Sequence, residues 1–398
     1  MVAAVLSDSH LSMEDDVPVL LARHAHRIGA DDVALYLADY DQRTLVPIPA
    51  PGRPVRHEID IDGTIAGWCF RTISVQTVSV DGGRRMWVPV VDGTDRLGVL
   101  ELDFTGSRGE QLEAVLPSLA ALTAELVITK TAYGDMFQRL RRRRPMSLAA
   151  ELLWQLLPPL TFGTEHVVIT AAIAPVHDVG GDAFDYAVNG DVARFAVFDA
   201  VGHGLDSGLM AAVALAAYRN SRRGGLDLVG TAVTIDRAIA THIGELNYVT
   251  GVLAELDVRS GRLQWCIAGH PRPLIVRRGH VVRTLASGAS LPFGLGTDPS
   301  VGSETLEPGD QVFLYTDGIT EGRGADGQPF GIDRFVDLVC RASADASSPP
   351  ETMRKMMHAV VDHQLGSLRD DATAVVVQWP GHAADQLQIP VEPGPGRA

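Results

Sequence analysis

Cysteine is scarce: Cys69, Cys266 and Cys340 are the three in 398 residues. They are odd in number and far apart, so neither a disulfide framework nor a thiolate metal site is expected, and a reducing, cytoplasmic setting fits them. No pair of histidines stands at metal-ligand spacing, which argues against a zinc centre. Basic residues are outnumbered, 34 Lys and Arg against 49 Asp and Glu, for a net charge of −15. That balance argues against a nucleic-acid partner. Long apolar runs are missing as well. The longest, around Leu209–Tyr218, falls well short of the roughly 20 residues of a membrane span. The opening MVAAVLSDSHLSMEDD has no basic stretch ahead of an apolar core, so no signal peptide and no membrane association are expected.

What is present is the composition of a globular protein, 46% hydrophobic and 21% charged. The length exceeds one ordinary core, so two domains are expected. Residues 1–13 read as a flexible N-terminus. Residues 14–130 carry a helix, several strands and a closing helix. Val17–Ile28 has helical apolar spacing and Asp32–Asp39 reads as a strand. Thr64 can cap a short helix IAGWCFRT. Arg85–Val91 and Arg96–Phe104 form a hairpin around Asp92–Asp95, and Gln111–Lys130 is a long helix. Residues 131–158 read as a helical linker. Its arginines, Arg139 and Arg141–Arg144, are expected to be a solvated hinge rather than an anionic-partner site. Ser147 can cap a helix after Pro145, and Pro158-Pro159 ends it.

Residues 159–380 are strand-dominated, and the order of elements is not an alternation of strand and helix. An α+β domain with mainly antiparallel sheets and outer helices follows. Residues 381–398, rich in Gly, Pro and Ala, read as a disordered tail.

One stretch in this second half carries a chemical signal. DVGGDAFDYAVNGDVARFAVFDAVGHG, residues 178–204, has two alternating runs around Asn189-Gly190, a strong hairpin signal. With that pair as the turn, Asp182 faces Val197 and Asp185 faces Arg194. Asp182 and Asp199 then lie diagonally on one face, roughly 7–8 Å apart at Cα. Asp317 follows the strand-like QVFLYT, and Asp370-Asp371 precede ATAVVVQ. Carboxylates gathered at strand ends, without thiols or paired histidines, point to a hard cation such as Mg²⁺ or Mn²⁺. His203 and His270 sit in Gly-His pairs and read as turn-holding groups, with a proton-donating role as the alternative.

Two resemblances add to this reading. GTIAGWCF (63–70) and WVPVVDGTDRLGVLELDF (87–104) make residues 14–130 resemble a GAF domain, an α/β sensor that holds small ligands. Cys69 is expected in its core, and the small ligand, if there is one, is unknown. VGGDAFD (179–185), FDAVGHG (198–204), YVTGVLAELD (248–257), AGHPRPLIVRRG (268–279), LPFGLG (291–296), LYTDGITEG (314–322), FGIDRF (330–335) and DDAT (370–373) resemble, in family order, the SpoIIE-like branch of the PPM metal-dependent protein phosphatases. That resemblance implies an αββα sandwich and a phosphoprotein phosphatase with two Mn²⁺ or Mg²⁺ ions per site. Asp199 would bridge the ions, and the Ala200 carbonyl would bind one. Asp317 and Asp370 would hold the other, with Asp182 binding directly or through water. Asp371 stands at a position that is often Asn in the family, and Thr316, Thr320 and Glu321 would orient Asp317. It further implies a phosphorylated protein substrate, a STAS-type anti-anti-sigma factor, and regulation by the GAF-like part of a homodimer. The competing readings are a catalytically silent partner-binding module and a hydrolase of a small phosphorylated compound.

Overall fold

The computed structural model describes residues 7–105, 115–242, 247–344, 348–366, 368 and 370–379. The chain divides into two compact units, with the boundary between Arg144 and Pro145. The expected tail at 381–398 lies outside the described residues, as do residues 1–6. Among the described residues, no helix is long and apolar enough to cross a membrane.

In the first unit, strands β1 (Asp32–Ala38), β2 (Thr44–Pro47), β3 (Ile59–Asp60), β4 (Gln76–Val80), β5 (Gly83–Asp92) and β6 (Asp95–Thr105) form one antiparallel sheet, ordered β3-β2-β1-β6-β5-β4. Alternation sorts its side chains onto two faces. Leu35, Leu37, Val88, Val90, Leu100 and Leu102 pack with helices α1 (Val17–Arg27) and α3 (Leu116–Thr131). Tyr36, Ala38, Trp87 and Val99 pack under α2 (Ile65–Thr72), whose Ala66, Cys69 and Phe70 meet them. Thr64 caps α2 by accepting from the Gly67 amide at 3.0 Å, and Cys69 is buried as expected. Residues 111–114 of the expected helix lie outside the described residues.

Two expectations change here. The start of the chain is tied down by residue 8: Asp8 meets His24 at 3.2 Å, and Lys130 Nζ donates to the Ser9 carbonyl at 2.8 Å. The arginine cluster is solvated only in part: Arg139, Arg143 and Arg144 are exposed, yet Arg141 and Arg143 take partners in the fold. It runs out of a short helix, α4 (Met136–Arg141). Arg141 stacks 4.6 Å from the Tyr40 ring and donates to the Ala38 carbonyl, while Arg143 forms a two-pronged pair with Glu58. Carboxylates, carbonyls and a ring within reach of a guanidinium outcompete solvation of the whole cluster.

The second unit opens with α5 (Leu148–Leu156), capped by Ser147, which accepts from the Ala150 amide at 3.1 Å. It continues through β7 (Thr161–Gly163), β8 (Val168–Ala174), β9 (Asp182–Asn189), β10 (Val192–Ala200), α6 (Leu205–Arg223) and α7 (Leu228–His242). Then come β11 (Val249–Asp257), β12 (Arg262–Ala268), β13 (Leu274–Arg277), β14 (His280–Thr284), β15 (Gly302–Thr305) and β16 (Asp310–Tyr315). Helices α8 (Asp317–Glu321), α9 (Ile332–Ala344) and α10 (Pro349–His363) precede β17 (Ala372–Trp379). The strands make two antiparallel sheets, β15-β12-β11-β10-β9 and β14-β13-β16-β17-β8-β7.

Three apolar layers hold this unit. Phe184, Phe195, Val197 and Val252 of the first sheet meet Ile169, Val312, Leu314 and Val375 of the second. Ala183, Ala196 and Phe198 point the other way, onto α6 and α7 through Met210, Leu215, Tyr218 and Ile235. The second sheet turns Phe313, Tyr315, Ala374 and Val376 onto Phe335, Val339, Met353 and Met357 of α9 and α10. This is the helix–sheet–sheet–helix sandwich. Each fully buried Phe or Val stabilises it by roughly 1.5–3 kcal/mol relative to exposure. The runs VFLY and AVVV are continuously apolar because both faces of β16 and β17 are covered.

The hairpin register departs from expectation. Asn189 pairs with Val192 and Asp182 pairs with Asp199, so the loop is Gly190-Asp191. Gly190 has φ +58°, the positive first position of a II′ turn, which glycine takes without strain. Asp185 therefore lies opposite Ala196, not Arg194. Arg194 instead pairs with Glu255 on β11 at 2.7 Å, and Asp185 turns under α6 to Arg219 and Arg222. The slip moves each partner by two residues, so the set of residues sharing a face is unchanged.

Candidate active site

The strand ends bring the carboxylates together. Asp182 opens β9 and Asp199 is the penultimate residue of β10, directly across from it. Thr316 and Asp317 follow β16 and open α8, and Asp370 and Asp371 lead into β17. Tyr315 of β16 pairs with Ala374 of β17, so the two leads lie side by side. The turn after β16 is tight: a side chain on Gly318 would come within 1.9 Å of the Asp371 carbonyl oxygen. Glycine is what lets Asp317 approach the Asp370-Asp371 pair.

Asp182 is 2% exposed, and its Oδ2 accepts from the Thr316 hydroxyl at 2.7 Å. The same hydroxyl oxygen accepts from the Thr373 amide at 2.9 Å. Thr316, expected to orient Asp317, thus orients Asp182 instead. Asp371 Oδ2 accepts from the amides of Gly180, Gly181 and Asp182 at 2.7, 2.5 and 3.3 Å.

The charges are uncompensated. Burial, then Asp317, Asp370 and Asp371, push Asp199 up to about 7. Burial, Asp199 and Asp371 raise Asp182 well above the carboxylate range, against the opposing hydroxyls of Thr316 and Thr373. Burial, Asp370 and Glu321 raise Asp317, so Glu321 acts on it by repulsion. The groups that act on Asp199 are all carboxylates.

Oxygen-only donors with excess negative charge are the chemistry of a hard divalent cation such as Mg²⁺ or Mn²⁺, and the residues fit one in kind. They are not gathered at ligand distances: among the described residues, no three His, Cys, Asp or Glu side chains converge tightly enough to hold an ion. Mutual repulsion opposes that convergence, and oxygens of Asp182 and Asp371 are engaged elsewhere. Ala200 is buried, and its amide is held by the Gly181 carbonyl at 3.1 Å.

One residue beside the acidic set escaped the sequence reading. Thr250 lies across from Asp199 on β11, and its hydroxyl meets His270 Nδ1 at 2.7 Å. Thr250 lies within the YVTGVLAELD motif, and only strand pairing reveals that it faces Asp199. His270 is buried, and burial, partly offset by the Tyr315 backbone, pushes its pKa down to about 3. It is a neutral group tying a loop to β11. His203 is exposed. The expectation that no Cys-x₅-Arg phosphatase signature is present is corrected as well, because Cys266 to Arg272 has that spacing. Cys266 lies inside β12 at 2% exposure, and burial pushes its thiol up to about 11, so it is no thiolate nucleophile.

Comparison with known proteins agrees with this architecture. Residues 189–380 match the family model of stage II sporulation protein E (SpoIIE). The protein IcfG of Synechocystis sp. is 26% identical over 142 residues, 35% of this chain and 22% of IcfG. The phosphoserine phosphatase RsbU of Bacillus subtilis is 21% identical over 238 residues, 58% of this chain and 69% of RsbU. This chain thus spans less than a quarter of IcfG and about two thirds of RsbU. Among solved structures, the SiaA-PP2C domain of Pseudomonas aeruginosa superposes with a TM-score of 0.50 and 26% identity, covering 58% of this chain and 94% of that one. Sequence and sandwich together make the second unit similar to SpoIIE and PP2C-type phosphatase domains.

Proposed function

We propose that this protein is a metal-dependent protein serine/threonine phosphatase. The observation that carries the reading is the placement of Asp182, Asp199, Asp317, Asp370 and Asp371 at neighbouring strand ends of the sandwich, where burial first and then the carboxylates of Asp317, Asp370 and Asp371 raise Asp199 to about 7. A negative cluster cannot bind a phosphate ester unaided, and the excess charge calls for cations.

Asp199 would bridge two Mn²⁺ or Mg²⁺ ions, with the Ala200 carbonyl on one, Asp317 and Asp370 on the other, and Asp182 closing the set. When bound, such a pair supplies a water of lowered pKa and neutralises charge on the phosphoryl oxygens. Hydrolysis of a phosphomonoester needs a very large barrier reduction, and no covalent intermediate on the protein is required. The chain's own part is positional. Thr316 holds the Asp182 carboxylate, and β9–β10 pairing sets it across from Asp199.

The substrate in this reading is phosphoserine or phosphothreonine on a partner protein, a STAS-type anti-anti-sigma factor, a step made by analogy with the SpoIIE-like branch that the motifs resemble. The first unit would be a GAF-like sensor that regulates the second, through a small ligand or through homodimer formation. Phosphate release by the full chain, with Mn²⁺ or Mg²⁺, from a phosphoserine protein tests this. Turnover lost in Asp199→Asn and Asp317→Asn is the expected result. A folded wild type without cation-dependent turnover would favour the silent binding module. Preference for free phosphometabolites would favour the small-molecule hydrolase.

A further inference from the structure

We propose that Asp371 is a positioning residue: it seats the Gly180–Asp182 backbone so that Asp182 stands across from Asp199, and it is not itself an ion ligand. This rests on the metal-phosphatase reading of the site.

Asp371 Oδ2 meets three successive amides, those of Gly180, Gly181 and Asp182. A carboxylate oxygen has two lone pairs, so three donors leave none of this oxygen for a cation. Successive amides turned toward one anion form a backbone nest, and charge-assisted bonds of this kind are the strong ones. The contact spans sequence separations of 189–191 residues. It joins the lead into β17, in one sheet, to the start of β9 in the other.

A second contact fixes Asp371 from behind. The Gly318 backbone packs on the Asp371 carbonyl closely enough to exclude any side chain. Asp371 is therefore held between the Asp317-Gly318 turn and the loop ahead of Asp182. The Ala200 amide bonds the Gly181 carbonyl at 3.1 Å, so the clamped loop also meets the end of β10 just past Asp199. The Asp371 side chain, its own carbonyl and the Gly181 carbonyl thus register the segments that carry Asp182, Asp317 and Asp199 on one another. The role needs an acceptor oxygen and not a charge, so a carboxamide can replace it. In a ligand role the exchange would remove the negative charge that a divalent cation draws on, and Mn²⁺ affinity would fall with it.

The test uses the full chain. Amide exchange over residues 180–182 is measured in the metal-free protein, and Mn²⁺ affinity by calorimetry, for wild type, Asp371→Asn, Asp371→Ala and Asp317→Asn. In Asp371→Ala, exchange at these amides is expected to speed up by about tenfold or more, and Mn²⁺ affinity to fall about 10–100-fold. Asp371→Asn is expected to keep both. Loss of Mn²⁺ affinity in Asp371→Asn as severe as in Asp317→Asn overturns the proposal in favour of a ligand. Unchanged exchange in Asp371→Ala also overturns it. If Asp371→Ala does not fold, Asp371→Asn decides alone, because faster exchange there removes the clamp. A wild type that binds no Mn²⁺ overturns the functional reading instead, and the exchange measurement still decides the clamp.

Discussion

Asp182 and Asp199 are cross-strand partners, directly opposite at the open end of the β9–β10 hairpin. Opposed Cβ atoms in such a pair lie about 4.5–5.5 Å apart, closer than a diagonal pair. Like charges at that spacing destabilise a hairpin, so the pair has to be offset by something other than its own sheet. The consequences are measurable without substrate.

Asp199 titrates from 3.8 in its ordinary state to about 7 when folded. For a carboxyl raised on folding, the stabilising contribution is complete below its unfolded value and is lost as pH rises through the folded one. The metal-free chain should therefore lose stability between about pH 4 and pH 7. Asp199→Asn should flatten that slope and raise the urea midpoint at pH 7.5, by an amount on the order of 1–3 kcal/mol. A metal-free variant no more stable than wild type at that pH would contradict the repulsion.

His270 has the opposite sign. Its folded pKa, about 3 against an ordinary 6.5, means that the unfolded chain takes up a proton that the folded chain refuses. Stability present above about pH 6.5 should fall as pH drops toward 3, at up to about 1.4 kcal/mol per pH unit. His270→Gln, which can still meet Thr250, should remove this component in urea titrations run at a series of pH values. An unchanged slope would show that the imidazole titrates normally.

Thr316→Val keeps shape and removes the hydroxyl that Asp182 and the Thr373 amide share. Leaving these buried groups without a partner costs about 1–3 kcal/mol. Thermal unfolding should register that loss, and Mn²⁺ affinity should fall with it. Retention of both would mean that Asp182 does not depend on Thr316 for its orientation.

Gly318→Ala places a methyl 1.9 Å from the Asp371 carbonyl oxygen. The turn must move, at a cost of about 1–3 kcal/mol, and Asp317 moves with it. Phosphate release should fall more than thermal stability does, because the displacement is centred on the acidic set. A fully active variant would show that the turn is more pliant than its packing implies.

Local chemistry made much of this protein legible before any coordinates. Thr64 and Ser147 cap their helices because a hydroxyl followed by free amides is a local pattern. Most strands of the second unit's two sheets were marked by alternation or by continuous apolar runs, though the short edge strands β7 and β15 were not, and motif order located the acidic residues. The register of the central hairpin was not legible. Asn-Gly and Gly-Asp turns differ by one residue, and glycine's positive φ serves either. Nor were the partners of Asp185, Asp371 and Thr316. These contacts join residues 34–191 positions apart, and a sequence does not record which distant amide or hydroxyl arrives beside a carboxylate. The acidic set itself follows from residue type at strand ends. How its members repel, lean on hydroxyls and seat one another depends on two sheets packing face to face, because burial and proximity, not composition, set the strength of charge.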